Sequence, residues 1–265
     1  MPGKGVLDAV PPLAHPRFIG IEFRIVEQAG TVSKAVRVLE ALRRAERPAS
    51  LGALAEGLAM PKATLHRLLA SLCTHDLVEQ QADGRYALGI GLVRLGLSAQ
   101  AGDPLVRVAR LELEREAQTF GETFFLVGAR AGRLFVLDKV EGTGLLRAAP
   151  SVGAEVPIES TASGRLFLGL APELLRETGE TRRVPRASIE RALAQGFDLN
   201  QGEWIAGLTV VAVPVWARAR LFGTVACGGA APSLSGARLE EAIRRAKRVA
   251  KRVEGALEGR GEETT

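Results

Sequence analysis

Aromatic residues are sparse in this chain. Phe, Trp and Tyr make up 5% of its 265 residues, with a single tyrosine, which argues against a lectin-like or aromatic-cage surface. Cysteine is scarcer still. Cys73 and Cys227 stand far apart in apolar contexts, so no disulfide framework is expected and a reducing compartment is the natural home. The histidines, His15, His66 and His75, all lie in the first third, which leaves the remainder without an imidazole for a Ser or Cys nucleophile or for a His-rich zinc site. No catalytic residue, metal site or cofactor is expected. A phosphate-binding G-x-x-x-x-G-K-[ST] is absent, and "GIGLVRLG" has the wrong glycine spacing for a dinucleotide fingerprint. No run approaches the apolar length of a membrane span, and the amino terminus lacks a signal-peptide core, so a cytoplasmic protein with no membrane partner is expected.

What is present is globular and basic. Hydrophobic residues at 46% and charged residues at 25% speak against wholesale disorder, and the length accommodates two domains or one large one. With 35 Lys and Arg against 30 Asp and Glu, the net charge of +5 permits an anionic partner such as nucleic acid without demanding one.

Residues 1–30 combine the prolines of "AVPPLAHP" with "FIGIEFRIV", which fits no clear period, and a poorly ordered extension is expected there. Beyond it the pattern sharpens. "VSKAVRVLEALRRA" places Val32, Val36, Leu39 and Leu42 at helical spacing with Ser33 as N-cap; Ser50 caps "LGALAEGLA"; and Pro61 at a first helical position opens "MPKATLHRLLASL". In this third helix Leu65, Leu68, Leu69 and Leu72 share one face. Lys62, Ala63, His66, Arg67 and Ala70 share the other, which reads either as a solvated surface or as one that lies against a polyanion. "LVEQQADGRYAL" then predicts a hairpin around Asp83-Gly84, a strong two-residue turn signal. Helix, helix, turn, helix, hairpin is the order of a winged helix-turn-helix, whose third helix enters a major groove.

Residues 91–118 read as a helical linker broken near Gly102-Asp103-Pro104. From Thr123 the period changes to two, with strands around Ala131-Gly132 and another in "GLLRAAP". Helices follow at Ser160 to Leu170, Pro172 to Thr178 and Ser188 to Gln195, then strands at "GLTVVAVPVWA" and "LFGTVACGG" and a long terminal amphipathic helix. These describe an α+β domain. The terminal helix gathers Arg244, Arg245, Lys247, Arg248, Lys251 and Arg252, either a second DNA contact or a solvated face whose opposite side packs inward. The expected division is an extension (1–30), a winged domain (31–90), a linker helix (91–118), an α+β domain (119–259) and a tail (260–265).

In this order and spacing, "SKAVRVLEAL", "SLGALAEGLAMPKATLHRLLASL" and "GRYALGIGLVRLG", followed by "VGAEVPIESTASGRLFLGL", "GFDLNQGEW" and "VVAVPVWARARLFGTVACGG", resemble the IclR family of bacterial transcriptional regulators over about Thr31 to Gly259. The resemblance implies a two-domain fold: an N-terminal, mostly α winged helix-turn-helix on double-stranded operator DNA, a helical linker that helps dimerise, and a C-terminal α+β GAF-like domain that binds a small effector. It also implies a homodimer or tetramer. On that reading Lys62, Ala63, Thr64, His66 and Arg67 lie in or beside the groove. Arg67 can donate bidentately to guanine or to phosphate, and Ala63, where relatives often carry Ser, offers close approach or apolar contact. Ser33 and Arg85 are candidate phosphate contacts, a solvated hairpin charge being the alternative for Arg85.

The resemblance puts the effector cradle in the loop from Val152 through Gly153 to Pro157 and at the turn before the "TASG" helix, with Thr161, Ala162 and Ser163 at a helix N-terminus that can hold an anion or can simply be capped. Asp198 and Asn200 supply polar groups in the "GFDLNQGEW" loop, followed by Glu203. Where several relatives place a cysteine this chain has Val210, and where serines occur it has Ala226 and Gly228. Those exchanges remove partners that a small buried carboxylate needs and favour a larger, apolar or aromatic acid. Two other classes stay open: a winged-helix regulator that recruits a protein partner without an effector, and an enzyme with a GAF-like catalytic domain, for which Asp198, Asn200 and Glu203 suggest at most a Mg²⁺ site.

Overall fold

The computed structural model describes residues 30–45, 47–144, 150–176 and 183–259. The extension before Gly30, most of "GLLRAAP" and the tail from 260 lie outside them. The chain divides after Arg94 into two compact units. Among the described residues no helix is long and apolar enough to cross a membrane.

The first unit consists of α1 (Gly30–Arg44), α2 (Leu51–Gly57), α3 (Lys62–Thr74) and the antiparallel pair β1 (Val78–Gln80) and β2 (Tyr86–Leu88). Its core is Val38, Leu42, Leu54, Met60, Leu65, Leu68, Leu69, Leu72, Val78 and Tyr86, each large side chain worth roughly 1.5–3 kcal/mol of transfer free energy when fully buried. Ser50 caps α2 as its spacing predicts, accepting from the Ala53 N–H at 3.2 Å. Two other start signals shift. Ser33 lies inside α1, which begins at Gly30, and the buried stripe is Val38 and Leu42 with Ala35 and Leu39 beside them, so Val32 and Val36 face outward. Pro61 is the residue before α3 rather than its first, at ψ 133°, outside helical geometry.

The hairpin also differs from its expected form. Gln80 pairs with Tyr86, so the connection is longer than the two residues Asp83-Gly84. The Gly84 N–H donates to the Gln81 carbonyl at 2.9 Å with Gly84 at φ +79°, and the Gln81 N–H donates to the Arg85 carbonyl at 2.8 Å. Glycine therefore serves the left-handed exit of a longer turn.

α4 (Ile90–Ala101) crosses the division between the units, and Asp103 caps α5 (Pro104–Phe120) with its side chain on the N–H groups of Leu105 and Val106. The break at Gly102-Asp103-Pro104 lies where the sequence puts it, yet α5 is not a free-standing linker. Leu105, Val106, Ala109, Leu113 and Ala117 are buried in the core of the second unit.

That unit is built on a six-stranded antiparallel sheet of order β5-β4-β3-β8-β7-β6. Its strands are β3 (Thr123–Arg130), β4 (Arg133–Val140), β5 (Glu155–Val156), β6 (Asp198–Gln201), β7 (Leu208–Ala217) and β8 (Arg220–Ala230). Period-two alternation covers both faces. Phe124, Leu126, Val211, Val213, Val225 and Cys227 pack under α5 and α8 (Gly236–Gly259). Phe125, Val127, Val210, Ala212 and Ala226 pack under α6 (Ala162–Leu170), beside which lies α7 (Arg186–Gln195). Between α6 and α7 runs a short 3-10 turn at Pro172–Leu174 in place of the helix expected there. The Cys227 thiol is fully buried, and burial pushes its pKa far up, so it is inert.

α6 crosses the chain at Gly164 with no room for a side chain. A Cβ there would stand 1.9 Å from the Ile158 carbonyl oxygen, a backbone atom that cannot rotate away. Gly164→Ala is expected to cost the second unit about 1–3 kcal/mol or more in overpacking, read as a lower urea midpoint. An unchanged midpoint would mean that the backbone at Ile158 yields freely.

Candidate functional site

The outward face of α3 is defined by what its inner face buries. Leu65, Leu68, Leu69 and Leu72 point into the core, and Lys62, Ala63, His66, Arg67 and Ala70 are exposed, with Thr64 half-buried at the border. α3 contains no acidic residue, and among the described residues no carboxylate pairs with Lys62 or Arg67. Among the described residues no side chain caps its N-terminus, so its first N–H groups are available to an anion. Arg85 is exposed and lies 3.4 Å from Asp83, whose Oδ1 also accepts from the Arg85 N–H. Ser33 is half-buried on α1. An acid-free helix face with unpaired cations and small residues can approach a polyanion closely.

The cations of α8 are disposed differently. Arg245 reaches Glu116 at 2.8 Å and Glu241 at 2.7 Å, Arg252 reaches Glu112 at 2.8 Å and Arg248 lies 3.5 Å from Glu116. Lys247 donates to the Gln195 carbonyl and stands over the Phe197 ring. This helix is tied to α5 through its charges, and Ala242, Ala246, Val249, Ala250 and Val253 pack inward.

In the second unit the sheet register brings several of the predicted effector residues into line. Asn200 on β6 stands opposite Val210, Val210 opposite Gly228, and Gly228 opposite Thr123. The neighbouring row is Asp198, Ala212, Ala226 and Phe125. Both rows face α6, and apart from the β6 residues their floor is small or apolar. The segment read as a loop from Asp198 is thus an edge strand.

The helix-terminus residues are already engaged. The Thr161 hydroxyl donates to the Pro157 carbonyl at 2.6 Å and accepts from the Gly164 N–H at 3.1 Å, which makes it a cap. Ser163 shares a buried 2.8 Å hydrogen bond with Thr224 on β8, and Ala162 is buried beside them. Val152 and Gly153 belong to the opposite edge of the sheet: the Gly153 N–H donates to Val136 on β4, and Val152 is exposed. They do not join the Asn200 row.

The residue that sequence reasoning missed is Arg165. Buried on α6, it donates through Nε to Asp198, through Nη1 to Glu203 Oε2 at 2.6 Å and through Nη2 to the Leu199 carbonyl at 2.6 Å. Asn200 Nδ2 donates to the Ser160 carbonyl and lies 3.3 Å from the same Glu203 oxygen. A lone cation within the apolar "ASGRLFLGL" was the available signal. Burial pushes the Asp198 carboxyl pKa up, against the hydrogen bond and charge of Arg165. Burial also works against the Arg165 charge, but its hydrogen bonds to Asp198 and Glu203 and their charges outweigh it, and its pKa is raised. A guanidinium stands among Asp198, Asn200 and Glu203, which overturns the Mg²⁺ alternative. No metal-binding group of His, Cys, Asp and Glu is found among the described residues.

The chain matches the IclR helix-turn-helix domain over residues 31–82 and the bacterial transcriptional regulator IclR C-terminal domain over residues 99–254. It is 30% identical to the probable transcriptional regulator SauR of Cupriavidus necator over 199 residues, 69% of this chain and 78% of that protein. An IclR transcriptional regulator from Alicyclobacillus acidocaldarius superposes with a TM-score of 0.71 at 28% identity, covering 86% of this chain and 98% of its own. An IclR homologue from Microbacterium hydrocarbonoxydans, solved in complex with 4-hydroxybenzoate, has the same fold, with a TM-score of 0.73 at 20% identity over 86% of this chain and 98% of its own.

Arg165 and Asp198 are both buried, and Arg165 also reaches Glu203, so it is removal of the arginine that leaves a buried charge, Asp198, without its counter-ion. Arg165→Ala is expected to destabilise the second unit by about 3–5 kcal/mol in chemical denaturation. Arg85→Ala, which breaks an exposed pair, should change stability by less than about 1 kcal/mol. Similar small losses in both would show that Arg165 is not held by Asp198.

Proposed function

The chain belongs to the IclR family of bacterial DNA-binding transcriptional regulators, and from that premise we propose that a dimer reads its operator with the outer face of α3 and responds to an apolar or aromatic acid bound in the second unit. The observation that carries the DNA half is the acid-free outer face of α3, with Lys62 and Arg67 unpaired and the first N–H groups uncapped among the described residues. Arg67 would donate to a guanine edge, Lys62 and the helix N-terminus to phosphate, and Ala63 would allow close approach; Thr64 and His66 flank them. Ser33 and Arg85 would add phosphate contacts. Phosphate contacts supply much of the affinity and its salt dependence, base contacts the sequence preference.

The effector half rests on the Asn200, Val210, Gly228 row and the adjacent Ala226, an apolar floor with polar groups at one edge. Such a floor suits a ring or branched chain with a polar end. Thr161 and Ser163, whose hydroxyls are engaged, would contribute through packing. 4-Hydroxybenzoate, the compound complexed with the Microbacterium protein, is the first probe. The ligand regulates only by binding unequally to operator-competent and operator-incompetent states.

α4 supports the dimer. Apart from Arg94, Ser98 and Gln100 it carries no polar side chain, yet Ile90, Val93, Leu95 and Leu97 are 62%, 52%, 62% and 60% exposed, and Gly91 is its one buried residue. A second copy of the same helix would cover that surface.

Arg67→Ala should weaken binding to DNA from upstream of the chain's own gene by about 1–3 kcal/mol in a gel-shift titration, with little effect on a shuffled control. Unchanged operator affinity would remove Arg67 from the reading face. Leu95→Glu should convert the dimer to monomer in sedimentation at micromolar concentration, and a dimer that persists would place the interface elsewhere.

A further inference from the structure

We propose that Arg165 and Asn200 form a carboxylate-binding site that the chain fills with its own Glu203, so that an anionic ligand binds by displacing that side chain. The inference rests on the reading of this end of the sheet as the effector site, and it names what that site recognises and how it is kept closed.

The geometry is that of a receptor already holding an anion. Two N–H donors from different elements, Arg165 Nη1 on α6 and Asn200 Nδ2 on β6, converge on one oxygen, Glu203 Oε2, at 2.6 and 3.3 Å. The donors are fixed. Arg165 is held by Asp198 and by the Leu199 carbonyl, and Asn200 by the Ser160 carbonyl. The acceptor is held far less. The Glu203 side chain is 48% exposed, against 6% for Asp198, and stands in the connection between β6 and β7, where Gly202 and Gly207 adopt φ of +86° and +77°. Those values suit glycine and give the connection two points at which it can turn. A half-exposed ion pair is screened by water and contributes little, so releasing Glu203 costs little, whereas releasing Asp198 would strand a buried charge.

Charge makes the exchange one-for-one. Arg165 is matched by Asp198, and Glu203 leaves the cluster with one net negative charge. A second carboxylate would add to that negative charge and find both donors, Arg165 Nη1 and Asn200 Nδ2, already taken by Glu203, so ligand and Glu203 exclude each other. Asn200 also stands in the row with Val210 and Gly228, so a carboxylate on these donors would set the rest of an organic acid beside the apolar floor.

The test uses acetate as the smallest carboxylate, with Glu203→Ala, which empties the site, and Glu203→Gln, which keeps its shape without the charge. Acetate should raise the melting temperature of the Glu203→Ala protein saturably, with an apparent affinity about two- to fivefold tighter than for wild type, as expected when a weakly held competitor is removed. Glu203→Gln should fall between, and acetamide and chloride at equal ionic strength should have no such effect. If acetate acts equally on wild type and both variants, or on none of them, the proposal is overturned. Operator binding by the same proteins is measured separately. Acetate that binds Glu203→Ala without altering operator affinity would leave the carboxylate site standing and remove its regulatory role.

Discussion

A sheet covered on both faces accepts polar side chains only where they find partners inside the protein, and that constraint arranges the second unit. β3, β7 and β8 carry apolar residues toward α5 and α8 on one side and toward α6 on the other. Where a hydroxyl persists in the interior, as at Thr224, it is matched by Ser163 at 2.8 Å. On β4 the buried Asp138 accepts from Gln100 and Arg110, and at the edge strand β6 Asp198 and Asn200 meet the Arg165 cluster. An unmatched buried charge costs several kcal/mol, so the cluster exists as a set. The candidate ligand site is a consequence of the packing that surrounds it.

The first unit obeys a simpler version of the same rule. Its small core takes four leucines from α3, and this fixes the rotation of the helix about its axis. Once those leucines face inward, Lys62 and Arg67 must face outward, whatever they later contact. The contrast with α8 shows why cation content alone says little. Arg245, Arg248 and Arg252 meet Glu112 and Glu116 of α5, and their charge serves the packing of two helices. The cations of α3 have no such counterpart among the described residues.

Much of this was legible in the sequence, for a physical reason. Periodicity reports burial, so the leucine face of α3, the alternation of β7 and β8 and the inward side of α8 could be read directly. End signals were less secure because several residues can start a helix or close a turn. Ser33 is a good cap on composition, but α1 begins before it. Asp83-Gly84 is a strong short-turn pair, but the strands close further out and glycine takes the left-handed exit instead. β6 is short and mixes polar with apolar residues, so it resembled a loop. Arg165 was hidden most completely. Its partners lie more than thirty positions away on another element, and no local pattern reports a contact of that separation.

Asn200 joins the two halves of the candidate effector site. It belongs to the apolar row through its register and to the charged cluster through its amide. Regulation requires a ligand to distinguish between states of the protein, because a ligand with equal affinity for both shifts nothing, however tightly it binds. Filling an apolar floor gains burial in any state that keeps the floor intact, which by itself discriminates poorly. Hydrogen bonds to Arg165 discriminate better, since this side chain ties α6 to β6 and to the connection that follows it. A ligand that takes one of those bonds changes which segments the guanidinium holds together. On this argument the apolar row would set affinity, and the arginine cluster would convert binding into a response.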